Sequence, residues 1–254
     1  MITIKNKVAI ERMYYAGQVL ADLFHTLPSI IKAGMNTGAL DAWIENYLKE
    51  RGIVSETKGY RGYQHASCIS VNDEVVHGIP RKDKIIREGD LIKIDICGSW
   101  KDYCADAARS YIVGSEKKKE VQQLIDVAQK ALDRGIEKAQ VGNRLGDISA
   151  AIQHEIEQHG YAVVRDFAGH GIGKHMHEDP EILNYGKVGQ GPLLRSGMAF
   201  ALEPMLVMGN HEVVIADDGW TVKTKDKSLA AHVEDTIVLT EQGPRILTRK
   251  NGES

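Results

Sequence analysis

The chain has 254 residues, of which 43% are hydrophobic and 26% charged, and its formal net charge at pH 7 is -3. A chain of this length buries a core without a disulfide or a structural metal, so a metal here would serve function. The charge balance lacks the basic excess that phosphate binding demands, which argues against nucleic acid as a direct partner. No segment resembles a signal peptide or a membrane span, so a cytoplasmic location without a membrane partner is expected.

The first third of the chain predicts two helices followed by strands. Apolar residues from Ile10 to Leu23 recur at helical spacing, and Pro28 is expected to end this helix. A second helix is predicted to begin after Asn36-Thr37, with Thr37 as its cap, and to stop at Gly52. Three β-branched segments then predict strands: "SCISVNDEVVHGIP", "LIKIDICGSW" and "YCADAARSYIVG".

The same order of elements recurs in the second part of the chain. Two amphipathic helices are predicted, "EKKKEVQQLIDVAQKALDRGIEKA" and "RLGDISAAIQHEIEQHG", and the strands "MAFALEPMLVMG" and "HVEDTIVLT" follow. Four residues of the second predicted helix region match residues 108 positions later: Gly34 with Gly142, Gly38 with Gly146, Ile44 with Ile152, and Gly52 with Gly160. This pattern predicts one α+β domain over residues 1–254, built from duplicated halves at about 1–113 and 114–254.

Two aspartates lie within the apolar strand segments. "IKIDI" places Asp95 among residues expected to be buried, where an unpaired carboxylate is costly. A hairpin turning about Trp100-Lys101 would place Asp106 directly opposite Asp95, with Cβ atoms roughly 4.5 to 5.5 Å apart. Like charges at that distance repel, so the pair predicts a cation or a shared proton. An exposed strand face with acidic residues is the alternative.

The stretch "GHGIGKHMHEDP", residues 169–180, surrounds His170 with glycines. A dinucleotide-binding loop needs G-x-G-x-x-G between a strand and a helix, and the residues after Gly173 do not begin a helix. The glycines instead permit close backbone approach around one imidazole. His175 and His177 are expected to alternate on a strand and share a face, where they could chelate a metal. Histidines without any ligand are the alternative.

Two glutamates complete the candidate ligands. Glu203 lies in "AFALEPML" and Glu234 in "AAHVEDTIVLT", both among apolar strand residues. With Asp95, Asp106 and His170 they make four carboxylates and one imidazole, a charge that divalent cations would neutralise. This number exceeds the needs of one catalytic zinc and suits two bridged ions, for which cobalt, manganese, iron or zinc would serve.

Five segments occur in a fixed order along the chain: "VNDEVVHGIP", "IKIDICGSWKDYCADAARS", "GHGIGKHMHEDP", "MAFALEPM" and "TVKTKDKSLAAHVEDTIVLT". Together they resemble the successive signatures of the type I methionine aminopeptidases, from about residue 5 to residue 248. The resemblance implies the pita-bread fold, in which two pseudo-symmetric helix-helix-strand halves form a central antiparallel sheet around a dimetal site. Only 33 positions separate His170 from Glu203, which leaves no room for the insertion of the type II enzymes.

The resemblance implies roles for individual residues. The implied metal ligands are Asp95, Asp106, His170, Glu203 and Glu234, and Asp106 and Glu234 are the bridging carboxylates. His77 and His177 match the two family histidines that contact substrate. The implied pocket for the methionine side chain contains Tyr60, Tyr63, Cys68 and Trp220, with Thr57 and Met176 at two further pocket positions.

The implied reaction is hydrolytic removal of the initiator methionine from nascent proteins and peptides, with preference for a small second residue. A metal-bridged hydroxide would attack the scissile carbonyl, with Glu203 as proton shuttle. His177 would stabilise the oxyanion and His77 would hold the backbone of the second residue. The resemblance implies a monomer with methionyl peptides as substrates, and contact with the ribosome stays open.

Three positions depart from the family pattern. Thr57 stands where cysteine is frequent, Met176 where an aromatic is frequent, and Asp235 where a histidine commonly follows the last glutamate. These departures leave the ligands intact and put the shape of the pocket in question. Two alternative functions stay open, a proline-specific aminopeptidase of the same fold and a non-catalytic relative that uses the cleft to bind peptides.

Overall fold

The computed structural model describes residues 1–115 and 118–250. Within these ranges lie four α-helices: α1 (Lys7–Ile30), α2 (Thr37–Glu50), α3 (Lys119–Lys138) and α4 (Leu145–Gln158). The described strands are β1 (Val54–Ser55), β2 (Cys68–Val71), β3 (Glu74–Val76), β4 (Leu91–Trp100), β5 (Tyr103–Ile112), β6 (Ala162–Val163), β7 (Ala168–Gly171), β8 (Glu178–Leu183), β9 (Ala199–Leu202), β10 (Met205–Val207), β11 (Val213–Ile215), β12 (Val222–Thr224), β13 (Ala230–His232), β14 (Glu234–Thr240) and β15 (Gly243–Ile246).

A nine-stranded antiparallel sheet forms the centre of the described part of the chain. Its order is β1-β4-β5-β14-β9-β7-β8, with β2 paired to β4 and β15 paired to β14. Two smaller sheets, β13-β10-β6 and β11-β12-β3, flank it. The long hairpin β4-β5 and strand β14 therefore lie side by side in the middle of the large sheet.

Successive side chains on the central strands point alternately to the two faces of the large sheet, and one of these faces packs against the helices. In β4, Ile92, Ile94 and Ile96 are fully buried and pack in one apolar cluster with α1 and α2. Phe200 of β9 and Ile237 of β14 pack in a second cluster with α3 and α4. Residues of opposite parity on these strands face away from the helices. The candidate ligands are among them.

Helix α1 continues past Pro28 and ends at Ile30, so the prediction that Pro28 ends the helix was wrong. Proline lacks the N–H that would bond the carbonyl of Phe24, four residues earlier. The Tyr111 hydroxyl on β5 donates to that carbonyl at 3.0 Å instead. A side chain from the sheet thus replaces the missing helical hydrogen bond.

Helix α2 begins where predicted, but its cap is Asn36 and not Thr37. The Asn36 side chain accepts a hydrogen bond from the Ala39 amide at 2.8 Å. The Thr37 hydroxyl is buried and accepts from the Arg81 amide at 2.9 Å, which joins the helix start to a distant loop. Helices α3 and α4 lie within the segments that periodicity predicted.

Two isolated bridges relate the halves of the chain by the predicted spacing. Asn36 pairs with Ile85, and Arg144 pairs with Leu193, so both ends differ by 108 positions. These parallels support the duplication, which stays a prediction together with its proposed boundaries. No helix in residues 1–115 or 118–250 combines the length and apolar character needed to cross a membrane.

Candidate metal centre

Five strands that are consecutive neighbours in the large sheet carry the candidate ligands, one on each or directly after it. In sheet order these are Asp95 on β4, Asp106 on β5, Glu234 on β14, Glu203 after β9 and His170 on β7. All five line a single cavity of about 660 Å³. Antiparallel pairing thus gathers side chains that are far apart along the chain.

The two aspartates are diagonal neighbours and do not face each other directly, so the predicted hairpin register was wrong. Asp95 pairs with Ala108, and Asp106 pairs with Cys97. The turn consists of Lys101 and Asp102, which both have positive φ, at 48° and 65°. A two-residue turn of this kind matches the twist of the flanking strands. Because the register is shifted by two residues, both carboxylates still lie on the same face of the sheet.

The innermost cluster consists of Asp106, His170 and Glu234, which are all buried. Each offers one ligand atom, and these atoms lie within 4.8 Å of one another. His170 Nε2 is 4.0 Å from Asp106 Oδ2 and 3.6 Å from Glu203 Oε1. His170 Nδ1 lies 2.9 Å from the Gly171 carbonyl oxygen, so the ring can donate there and keep the Nε2 lone pair for a cation.

The glycines around His170 serve close packing. A Cβ at Gly169 would lie 2.4 Å from the Ala201 carbonyl oxygen, and one at Gly171 would lie 2.0 Å from the Asp179 carbonyl oxygen. Neither distance is compatible with a side chain. These two glycines allow strands β8 and β9 to close on either side of β7, which places the His170 ring among the carboxylates.

Burial and mutual repulsion favour the protonated forms of the four carboxyl groups. Burial raises the pKa of Asp106 to about 6. Burial and the charge of Asp106 raise the pKa of Asp95 and of Glu234 well above their usual range, and burial and the charge of Asp95 do so for Glu203. Such charges become stable together when a cation lies between them.

The donor atoms fit a divalent cation. Asp106 Oδ1 and Glu234 Oε1 are buried and have no hydrogen-bond partner within the described residues. Burial and the nearby His177 lower the pKa of His170 to about 3, so this imidazole is neutral at pH 7. Carboxylate oxygens without a partner, next to a neutral imidazole, are ligands that divalent transition metals accept.

Aromatic side chains form the wall of the cavity above this cluster. The His177 ring lies 4.3 Å from the His170 ring and 5.1 Å from the Tyr60 ring, measured between centroids. Trp220 meets the Tyr63 ring edge-on at 5.0 Å. Every residue predicted for substrate contact lines the cavity: His77, His177, Tyr60, Tyr63, Cys68, Trp220, Thr57 and Met176.

The three departures from the family pattern lie in different surroundings. Thr57 and Met176 line the cavity, where they can influence its shape. Asp235 does not line it, because alternation on β14 turns its side chain to the opposite side from Glu234. It is fully buried and forms ion pairs of 2.7 Å with Arg109 and Arg249. Its effect on the pocket can only be indirect.

The expectation that His175 and His177 share a strand face was wrong. Residues 172–177 form bends between β7 and β8. His177 lines the main cavity, whereas His175 borders a separate cavity of about 250 Å³ with Lys5 and Tyr103. The two rings therefore do not form a chelating pair.

Two residues that the sequence analysis did not single out belong to the site. Phe167 lines the cavity and meets the His77 ring edge-on at 5.5 Å. His232 is buried, and its Nε2 lies 3.7 Å from Glu203 Oε2. Spacing offered a signal for His232, because it precedes Glu234 by two residues in a strand-like segment. No comparable signal identified Phe167.

Two buried and two partly buried carboxyl groups and an imidazole, gathered by one antiparallel sheet in a cavity with aromatic walls, are typical of a metal-dependent hydrolase. Comparison with known sequences identifies the particular family. The chain belongs to metallopeptidase family M24, whose sequence profile matches residues 11–241.

Relatives within this family cover nearly the whole chain. The methionine aminopeptidase of Clostridium acetobutylicum is 45% identical over 248 residues, covering 98% of this chain and 99% of the relative. Methionine aminopeptidase 1 of Bacillus subtilis is 40% identical over 249 residues, covering 98% of this chain and all of the relative. The crystal structure of methionine aminopeptidase from Thermotoga maritima superimposes with a TM-score of 0.96 at 41% identity, covering 98% of this chain and 100% of that chain.

The predicted resemblance and fold class are confirmed by these comparisons. A prolidase from Pyrococcus furiosus superimposes with a TM-score of 0.79 at 23% identity, and this chain covers 66% of its length. That similarity shows a shared fold and carries no information on substrate. The proline-specific alternative is therefore the less supported of the two peptidase activities.

Proposed function

We propose that this chain removes the N-terminal methionine from peptides and nascent proteins by metal-dependent hydrolysis, with preference for a small second residue. The observation that carries the proposal is that five candidate ligands converge at one cavity whose walls are aromatic. Full-length relatives that bear the name methionine aminopeptidase, at 45% and 40% identity, support the same activity.

In this proposal Asp95, Asp106, His170, Glu203 and Glu234 would hold two divalent ions. When bound, such ions lower the pKa of a coordinated water and polarise a carbonyl group. The cluster of Asp106, His170 and Glu234, whose ligand atoms lie within 4.8 Å of one another, supports the assignment. So do Asp106 Oδ1 and Glu234 Oε1, which find no hydrogen-bond partner in the part of the chain that the structure describes. Cobalt, manganese, iron and zinc are all compatible with this donor set.

Glu203 would move the proton during hydrolysis. Its carboxylate would accept a proton from the attacking water and deliver it to the nitrogen of the leaving peptide. This carboxylate lines the cavity, with Oε1 3.6 Å from His170 Nε2, and from there it would reach the attacking water. The Asn184 side chain donates to the Glu203 carbonyl at 3.0 Å and fixes the backbone at this point.

Two histidines above the cluster would contact the substrate. Burial and the nearby His177 lower the pKa of His77 to about 4, so this ring is neutral at pH 7 and can donate from one nitrogen while accepting at the other. It would hold the backbone of the second residue, and His177 would donate to the developing oxyanion. Tyr60, Tyr63, Cys68 and Trp220 would enclose the methionine side chain, and Thr57 and Met176 would complete the wall.

The wider setting of the activity is part of the same proposal. Initiator methionine is present on newly made chains, so we place the enzyme in the cytoplasm, acting as a monomer on nascent polypeptides near the ribosome. The whole chain, residues 1–254, would form one catalytic domain.

The test measures the free N-terminal amino acid released from Met-Ala-Ser by metal-stripped protein titrated with manganese, cobalt, iron(II) or zinc. Leu-Ala-Ser and Ala-Pro serve as substrates for the alternative peptidase activities. We expect release from Met-Ala-Ser alone, dependent on added metal. Asp106→Asn and Glu203→Gln should lower kcat by at least about 100-fold, a loss typical for a group that acts directly in the chemical step.

A matched control is Glu212→Gln, which neutralises an exposed carboxylate paired with Lys225 and should leave kcat unchanged. Cleavage of Ala-Pro in preference to Met-Ala-Ser would move the assignment to a proline-specific peptidase. Tight peptide binding without hydrolysis under every metal would contradict catalysis altogether.

A further inference from the structure

His232 is a buried imidazole that the proposed reaction does not yet use. It is 1% exposed, and neither ring nitrogen has a hydrogen-bond partner within the described residues. A buried polar group without a partner costs free energy, so such a group in a native site calls for a specific reason. The ring does not line the cavity, so it is not placed to touch substrate.

The backbone around His232 is held firmly. The Ser110 hydroxyl on β5 donates to the His232 carbonyl at 2.8 Å and accepts from its amide at 3.2 Å. On the other side His232 pairs with Met205 across the β13-β10 ladder. The main chain is therefore fixed on both sides, and the direction of the ring follows from the strand position.

The ring points at the carboxylate of Glu203. His232 Nε2 lies 3.7 Å from Glu203 Oε2, while His170 Nε2 lies 3.6 Å from Glu203 Oε1. The Glu203 carboxylate thus stands between an imidazole that lines the cavity and an imidazole behind it. A shift of roughly 0.7 Å in either side chain brings His232 Nε2 and Oε2 to hydrogen-bond distance.

We propose that His232 is a positioning residue for Glu203: its Nε2–H donates to Oε2 and holds the carboxylate so that Oε1 faces His170 and the cavity. The inference rests on the proposed role of Glu203 in the reaction. An imidazole behind a ligating carboxylate restricts its rotation, and such supporting contacts influence both metal affinity and turnover.

Geometry favours this role over direct ligation by His232. All five candidate ligands line the cavity, whereas His232 does not. The His232 Nε2 atom approaches the Glu203 carboxylate, at 3.7 Å from Oε2. His232 therefore acts on the centre through Glu203.

The test compares three substitutions that differ in whether a donor reaches Glu203. His232→Gln keeps an N–H donor near the position of Nε2. In His232→Asn the side chain is too short for its amide to reach Glu203, and His232→Leu removes the donor. On Met-Ala-Ser we expect His232→Leu and His232→Asn to lower kcat by about 10- to 100-fold, with KM changed less than about 3-fold. His232→Gln should recover kcat to within about 5-fold of the parent.

A second readout does not depend on turnover. Calorimetric titration of the metal-stripped proteins with manganese should show a similar loss of affinity, about 10- to 100-fold, in His232→Leu and His232→Asn, and its recovery in His232→Gln. Ser110→Ala is the structural control, because it removes the two Ser110 contacts to the His232 backbone and leaves the ring and the β13-β10 pairing in place. This variant should melt at a lower temperature and keep its metal affinity.

Several outcomes overturn the inference. Parent-like kcat and metal affinity in His232→Leu would show that the contact is unnecessary. Equal losses in His232→Gln and His232→Asn would show that ring shape matters and not the donor. One fewer bound ion per chain in His232→Leu would make His232 a ligand. If His232→Leu does not fold, the comparison of His232→Gln with His232→Asn decides. If the parent releases no methionine with any metal, the proposed function fails, and the manganese titrations still test the contact with Glu203.

Discussion

Replacement of Asp235 by alanine should destabilise the fold severely, although Asp235 does not line the cavity. The carboxylate is fully buried and accepts three hydrogen bonds of 2.7 Å, from Arg109 Nη2, Arg249 Nε and the Thr248 hydroxyl. Arg249 also pairs with Asp133 on α3 at 2.6 Å. Asp235 therefore joins β14, β5, α3 and the segment after β15.

The expected cost follows from this geometry. Removing one partner of a buried ion pair typically costs about 3 to 5 kcal/mol, because the remaining charge is left without compensation. Asp133 continues to compensate Arg249, so the lower part of this range, about 3 kcal/mol, is expected for Asp235→Ala. In a chain of this length that corresponds to a fall in melting temperature of roughly 6 to 12 °C.

The assay is urea unfolding of metal-stripped protein, with calorimetric melting as a second measure. Asp83→Asn is the matched control, because its carboxylate is 77% exposed beside Arg81 and should change the free energy of unfolding by less than about 0.5 kcal/mol. A free energy of unfolding for Asp235→Ala within about 1 kcal/mol of the parent would refute the reasoning.

The pH dependence gives a further check on the same residue. Burial alone would raise the pKa of Asp235, but the charges of Arg109 and Arg249 outweigh burial and lower it. The unfolded chain then binds the proton more readily than the folded chain, so this contribution is present above about pH 4 and is lost as the pH falls further. The difference between Asp235→Asn and the parent should therefore shrink on acidification below about pH 4.

Three other predictions concern the centre and the first helix. Burial raises the pKa of Asp106 to about 6 from 3.8, so the metal-stripped protein should lose stability as the pH rises from about 4 to 7 in urea titrations. Saturating manganese should reverse that trend, and a flat profile without metal would contradict it. Tyr111→Phe should cost about 1 kcal/mol of unfolding free energy, and less in a Pro28→Ala background, where a backbone amide can bond the Phe24 carbonyl. Equal costs in both backgrounds would show that the Tyr111 hydroxyl does not compensate for the missing proline N–H. Gly169→Ala should weaken manganese binding at least about 10-fold in calorimetry, because its Cβ would lie 2.4 Å from the Ala201 carbonyl oxygen and displace β7. Unchanged affinity would mean that the strands adjust around a methyl group.

The four candidate carboxylates could be predicted from the sequence because each is an ionisable residue within a strand segment rich in apolar residues, and His170 because glycines surround it. Asp95 stands between Ile94 and Ile96, and Glu203 follows Leu202, so burial of the charge follows from local context. Helices α3 and α4 likewise follow from their apolar periodicity. At these positions the local sequence preference and the tertiary packing favour the same structure, so the structure can be predicted from the sequence.

The hairpin register could not be predicted because it depends on backbone angles. Lys101 and Asp102 both adopt positive φ. Neither residue type predicts this conformation as strongly as glycine does. The extent of α1 was missed for a different reason. Whether Pro28 ends the helix depends on a donor 83 residues away, the Tyr111 hydroxyl. The orientation of His232 towards Glu203 depends on the β13-β10 pairing in the same way.

Each of the five strands contributes one candidate ligand, so the centre is complete only when all five strands are in the correct register. Since successive side chains point to opposite faces, a slip of one residue in any of β4, β5, β14, β9 or β7 would turn its ligand towards the helices. A chain with such a slip could be compact and helical and still lack a complete donor set. Metal would then bind tightly only to molecules in which all five strands are in register, so a divalent ion selects the correctly folded fraction of the population.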